Sequence, residues 1–222
     1  MKSNQKTARI VGVLFLFIFF IGVTVYQVLQ APLLSDDVLK ETATHQNQLI
    51  SSTLLNMLSG ILSISIAVLL FPVFKAYNTN LARLYFAFTL LNFIAIVIDN
   101  GSVFSLLELS KVSSDIKNIE TLNALQKVFS EKHWWTHYFS LLTSCFPVFV
   151  LYYTLFVAKL VPKLISLIGI IASILMFVEM LSSIFGHGIS MNLMLPMAFI
   201  QLLLPIWLII KGFKENIIIN NH

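Results

Sequence analysis

Two acidic residues, Asp99 and Glu179, stand inside long apolar stretches of this 222-residue chain. An ionised side chain at the centre of a membrane-spanning helix costs about 2.5–3.5 kcal/mol on insertion scales, and such residues usually face the interior of a helix bundle or water. The two carboxyl groups therefore predict a polar site inside a membrane protein.

Other polar side chains recur nearby at helical spacing. Asn92 and Asp99 are seven residues apart and share one helix face, and His133 and His137, four apart, share another. Both carboxylates lie about seven residues before the outer end of a predicted helix, roughly 10 Å deep at 1.5 Å per residue. We therefore predict one outward-facing polar pocket. Its predicted ligand-binding residues are Asp99, Glu179, His137, Asn56 and Asn92.

The same residues allow three other interpretations. The acids could simply join helices through hydrogen bonds. His133 and His137, with Asp99 or Glu179, could hold a metal ion, although no His-Glu-x-x-His arrangement accompanies them. A serine hydrolase would need a positioned nucleophile, and the chain has no Gly-x-Ser-x-Gly elbow. No catalytic residue, metal ligand or cofactor is assigned by the sequence, and whether the protein is an enzyme stays open.

The elements that position these residues are membrane-spanning helices. Hydrophobic residues make up 58% of the chain and charged residues 11%, against about 45–50% and about 25% in soluble domains. A bilayer core of about 30 Å takes roughly 20 helical residues to cross. The pattern predicts an all-α polytopic bundle of six transmembrane helices in a single domain, 1–222. The predicted spans are 10–30, 49–74, 81–107, 135–158, 162–186 and 193–212.

Basic residues sort by side of the membrane. Short connections and termini on one side carry nine lysines and arginines with Glu215 as their only acid, whereas the longer loops on the other side mix five lysines with seven acids. This is the positive-inside pattern, so we predict that both termini are cytoplasmic. The net charge of +4 thus reflects topology, and no basic-aromatic patch indicates nucleic-acid binding.

The longest predicted loop, 108–134, contains a helical pattern. Ser113 and Asp115 resemble a helix start, and apolar residues then recur every three or four positions up to Phe129. This spacing predicts a short amphipathic helix across the outer mouth of the bundle, serving as an interfacial connector or as a lid.

Several short motifs resemble one family of membrane proteins. They are Thr7-Ala8-Arg9-Ile10 before the first span, Asn80-Leu81-Ala82 before the third, Leu160-Val161-Pro162-Lys163 before the fifth, and Leu195-Pro196 with Trp207-Leu208-Ile209-Ile210-Lys211-Gly212-Phe213 around the sixth. In this order they are similar to the bacterial integral membrane proteins grouped as domain of unknown function 4386. The resemblance covers nearly the whole chain. It implies a multipass protein of the bacterial inner membrane, and it brings no activity or catalytic residue with it.

The leading hypothesis is a membrane protein whose outward-facing pocket binds a small solute, an ion or a lipid headgroup. The alternatives are a metal-dependent membrane hydrolase using His137, Asp99 and Glu179, and a structural or regulatory subunit without pocket chemistry. The lipid bilayer is the partner that the composition predicts, and the oligomeric state stays open.

Overall fold

The computed structural model describes residues 2–187 and 191–214. Seven α-helices and no strand occur in these residues. The helices are α1 (Lys2–Val23), α2 (Val38–Thr44), α3 (Gln46–Lys75), α4 (Thr79–Val112), α5 (Ile119–Val157), α6 (Lys163–Ile184) and α7 (Leu195–Ile210). A π-helical turn, Thr24–Leu29, continues α1, and 3₁₀ turns occupy Ala31–Leu34, Ser113–Asp115 and Met191–Met194.

Six candidate segments of the described residues are long and apolar enough to cross a membrane, and each contains all or nearly all of one of these helices other than α2. The last helix, α7, reaches that length together with the 3₁₀ turn before it, as Asn192–Ile210. Each candidate packs against the next along the chain, and α1 packs against α7. The six helices therefore form a closed ring, and the predicted all-α polytopic bundle of six helices is confirmed. Gln5 Nε2 donates to the carbonyl of Phe213 at 2.6 Å, so the first and last described segments meet at the same end of the ring.

Proline and asparagine explain several helix ends. Asn78 and Asn118 each accept hydrogen bonds from two backbone N–H groups of the following helix, α4 and α5 respectively. Pro162 precedes α6, where its missing N–H costs nothing.

The connection between α4 and α5 is shorter than predicted. The helix expected within 108–134 is present, but it forms the first turns of α5 instead of a separate helix. The predicted helix start at Ser113–Asp115 is wrong: these residues form a 3₁₀ turn, and Asn118 caps the helix.

Two apolar clusters divide the bundle. The larger cluster fills the end where the two described termini meet and includes Phe74, Leu155 and Leu208. The smaller one joins Leu33 and Leu39, from the segment between α1 and α3, to the last turns of α4. We call the end that carries this smaller cluster, residues 31–45 and 108–134, the cap end.

Candidate functional site

A buried polar cluster lies beneath the cap end. Asp99 is at 0% exposure on α4, and His133, Thr136 and His137 face it from α5. Asp99 is about 20 residues from the first residue of α4, and His137 about 20 residues from the last residue of α5. At 1.5 Å per residue both lie about 30 Å from the opposite end of the bundle, the thickness of a bilayer core.

The helical repeat brings these side chains together. Asp99 and Ser102 are three residues apart, as are His133 and Thr136, so each pair shares a helix face. Ser102 Oγ lies 2.6 Å from the carbonyl of Asp99, and Thr136 Oγ1 lies 3.0 Å from the carbonyl of His133. These local contacts hold both hydroxyls on the facing surfaces of α4 and α5.

Two hydroxyl groups connect His133 to Asp99. His133 Nδ1 lies 2.9 Å from Ser102 Oγ, which lies 2.9 Å from Thr136 Oγ1, which lies 3.0 Å from Asp99 Oδ1. All three distances suit hydrogen bonds. The direct distance from His133 Nδ1 to Asp99 Oδ1 is 3.6 Å and is too long for one. Among the described residues, these two hydroxyls thus form the only short path between the His133 imidazole and the Asp99 carboxylate.

His137 contacts the other carboxylate oxygen. Its Nδ1 lies 3.5 Å from Asp99 Oδ2, and neither atom has a hydrogen-bond partner among the described residues. Unpaired buried polar atoms are costly. Asp99 Oδ2 and His137 Nδ1 are therefore the atoms of this cluster with free capacity to bind.

Tyr26 covers His137 from the end of α1. The two ring centroids are 4.9 Å apart with an interplanar angle of 60°. The tyrosine hydroxyl donates to Asn56 Oδ1 at 3.4 Å. Asn56 Nδ2 donates in turn to Asn100 Oδ1 at 3.1 Å. The cluster is therefore bounded by α1, α3, α4 and α5.

The structure places the five predicted site residues in different surroundings. Asp99 and His137 face each other, and Asn56 adjoins the cluster through Tyr26. Asn92 joins α4 to α5 elsewhere, by donating to the carbonyl of Ser140 at 2.9 Å and to Thr143 Oγ1 at 3.1 Å. Glu179 is buried on α6, and its Oε2 has no hydrogen-bond partner in the described part of the chain. No described hydrogen bond or ion pair links Glu179 to Asp99, and their convergence on one site stays a prediction.

Two buried serines of α3, Ser52 and Ser59, do not contribute polar groups to this cluster. Their hydroxyls donate to carbonyls of their own helix three residues earlier and make no further described hydrogen bond. Ser102 makes the same local contact, but its hydroxyl also lies within hydrogen-bond distance of His133 and Thr136.

A metal site is not formed by the described residues. Within 2–187 and 191–214, no three His, Cys, Asp or Glu side chains are arranged so that they could hold a metal ion. The metal-dependent hydrolase using His137, Asp99 and Glu179 stays a prediction.

Six apolar helices in a closed ring, with Asp99 and His133 buried between them, define a polytopic helical membrane protein. The family model for the domain of unknown function DUF4386 matches residues 10–212. The chain belongs to that family, as its motifs predicted. No curated protein and no solved structure matches it.

Proposed function

We propose that this membrane protein binds and releases a proton at the buried polar cluster beneath the cap end. We call it the Asp99 cluster, and its members are Asp99, Ser102, His133, Thr136 and His137. The observation that supports the proposal is the continuous path of hydroxyl groups between His133 and Asp99. The sequence predicted a small solute, an ion or a lipid headgroup as the ligand, and the ion that a path of hydroxyl groups conducts is a proton.

The path supports two proton arrangements. In the first, His133 is doubly protonated and its Nδ1–H donates to Ser102. Ser102 and Thr136 have turned their single protons away from the carbonyls of Asp99 and His133, so that Ser102 donates to Thr136 and Thr136 donates to ionised Asp99. In the second, each of the three protons has moved one position along the path, so that Asp99 is protonated and Ser102 donates to His133 Nδ1. The change transfers one proton from the imidazole to the carboxylate, and every hydroxyl keeps one proton throughout.

The closed geometry favours a proton over a larger ligand. Asp99 is fully buried. A groove of about 540 Å³ does lie at the cap end, but its lining residues run from Gly101 to Val112 on α4, with Phe129 of α5, and do not include Asp99, His133 or His137. A small solute would need the cluster to open, whereas a proton needs only the rearrangement of hydrogen bonds.

The charge asymmetry of the sequence supports an orientation in which the cap end faces outward and both termini are cytoplasmic. We predict that reporter fusions after Lys75 and Lys159 report the cytoplasm and that fusions near Lys40 and Lys117 report the outside. The reversed pattern would contradict this orientation and place the Asp99 cluster near the inner surface.

Asp99→Asn should abolish proton binding, because an amide keeps the size and much of the hydrogen bonding of the carboxyl group but cannot ionise. The measurement is the pH-difference infrared spectrum of the protein in lipid vesicles. The wild type should show a protonated-carboxyl band that changes with pH and shifts in heavy water, and Asp99→Asn should lack it.

Glu179→Gln is the matched variant, because it removes the other buried carboxyl of the predicted pocket. A band that survives Glu179→Gln unchanged would show that the Asp99 carboxyl is independent of Glu179, and a shifted band would support the shared site predicted from the sequence. A band that keeps its full amplitude in Asp99→Asn would contradict the proposal and favour a helix-joining role for Asp99.

A further inference from the structure

The turn that carries Tyr26 is π-helical and follows directly after the regular α-helix of α1. The N–H of Gln30 bonds to the carbonyl of Val25 at 2.9 Å, five residues earlier, as in a π-helix. Gln48 Nε2, from α3, donates to the carbonyls of Val28 and Leu29 at 3.1 and 3.2 Å. The end of α1 is thereby held by α3, and the wide turn aims the Tyr26 ring at His137.

The Tyr26 hydroxyl is oriented by a chain of two amides. Asn100 Nδ2 donates to the carbonyl of Thr53 at 3.1 Å, and its Oδ1 accepts from Asn56 Nδ2. Asn56 therefore presents Oδ1 to Tyr26, and an amide oxygen can only accept. The tyrosine proton is thus committed to Asn56 and is not part of the path to Asp99. At 3.4 Å this hydrogen bond is long and weak, so opening it costs little.

The two histidines differ in access. The His133 side chain is 8% exposed and its Nδ1 is bonded to Ser102, whereas the His137 side chain is 16% exposed and its Nδ1 has no hydrogen-bond partner among the described residues. We propose that protons reach Asp99 through His137 and that the ring of Tyr26 is the lid over this entry. The inference rests on the proposed proton binding and specifies its route.

The proton step balances through the imidazole. A proton binds His137 at Nε2, the proton on Nδ1 passes to Asp99 Oδ2, and His137 is left neutral with its proton on Nε2. The titratable groups facing His137 are Asp99 from α4, His133 and Tyr138 from its own helix, and Tyr26 from the end of α1. From α3, Asn56 adjoins the site with an uncharged amide.

The lid is tested by the reaction of histidines with diethyl pyrocarbonate, located by mass spectrometry. In the wild type, His137 should react at least about tenfold more slowly than the exposed His187, and Tyr26→Ala should bring the two rates to within about threefold. The matched control is Tyr153→Ala, because Tyr153 is an exposed tyrosine that stacks on Phe149 at 6.1 Å. It should leave His137 protected.

Tyr26→Phe gives a second measurement that preserves the packed ring. It removes only the hydrogen bond to Asn56 and should raise the reaction rate of His137 by about two- to fivefold, as expected for one weak hydrogen bond. A wild-type His137 that reacts as fast as His187 would overturn the lid, and so would unchanged rates in both Tyr26 variants.

The entry route is tested by hydrogen–deuterium exchange of the protonated Asp99 carboxyl, followed by rapid-mixing infrared spectroscopy. His137→Gln should slow the exchange by about 100-fold, the scale of a lost acid–base group, while the amplitude of the carboxyl band remains. His45→Gln is the control, because His45 is the residue directly before α3. It should change neither the exchange rate nor the amplitude of the carboxyl band. An unchanged rate in His137→Gln overturns the route alone, whereas a wild type without any Asp99 band overturns the proposed function.

Discussion

Gly169→Ala is expected to lower the free energy of unfolding by about 1–3 kcal/mol, as overpacking a close contact does. Gly169 lies on α6 against the ring of Tyr152, and a methyl group added there would overlap that ring. Tyr152 is buried, and its hydroxyl donates to the carbonyl of Ile200 at 3.5 Å. The ring therefore cannot move without disturbing the packing of α5, α6 and α7 together. Unfolding in mixed detergent micelles provides the measurement.

Gly22→Ala is the matched control for Gly169→Ala. Nothing lies within 4 Å of a Cβ atom added at Gly22, so the substitution should be neutral or stabilise by up to about 1 kcal/mol, the difference in helix propensity. Opposite signs for the two variants would assign the loss at Gly169 to its contact with Tyr152. Equal effects would show that α5 and α6 do not pack as closely as described.

Hydropathy predicted the spanning helices because each needs a long apolar run, a property visible in the sequence itself. It placed the start of α5 near residue 135, whereas the helix begins at Ile119. The extra turns leave the apolar run and are stabilised by the Asn118 cap and by contacts of Leu122 and Leu125 with the smaller apolar cluster. Hydropathy does not encode such tertiary contacts. A helix predicted from hydropathy is therefore too short wherever the real helix extends beyond the membrane.

The site was only partly predictable for the same reason. Asp99 and His137 were predicted as site residues because ionisable groups are rare in apolar runs. Ser102 and Thr136 were missed, although each lies three residues after an ionisable residue, and that spacing was the available signal. Tyr26 carried no such signal, because a π-helical turn departs from the 3.6-residue period on which helical-face arguments depend.

Thr136→Val is expected to uncouple His133 from Asp99. Valine has nearly the shape of threonine but no hydroxyl, so the path from Ser102 to Asp99 Oδ1 is broken. In the protein that keeps Thr136, Asp99→Asn should shift the nitrogen NMR signals of His133, because the hydroxyl path connects the two groups. In the Thr136→Val background, Asp99→Asn should leave those signals unchanged. Asp99 Oδ1 also loses its hydroxyl donor, which should cost about 1–3 kcal/mol of stability.

Thr154→Val is the control for Thr136→Val, because it removes a buried hydroxyl from the same helix. Thr154 Oγ1 donates to the carbonyl of Val150 in its own helix at 2.7 Å and makes no described contact with the Asp99 cluster. In the Thr154→Val background, Asp99→Asn should still shift the His133 signals. A shift that persists in Thr136→Val would mean that Asp99 and His133 are coupled through space across their 3.6 Å separation, and the hydroxyl path would then have no part in proton binding.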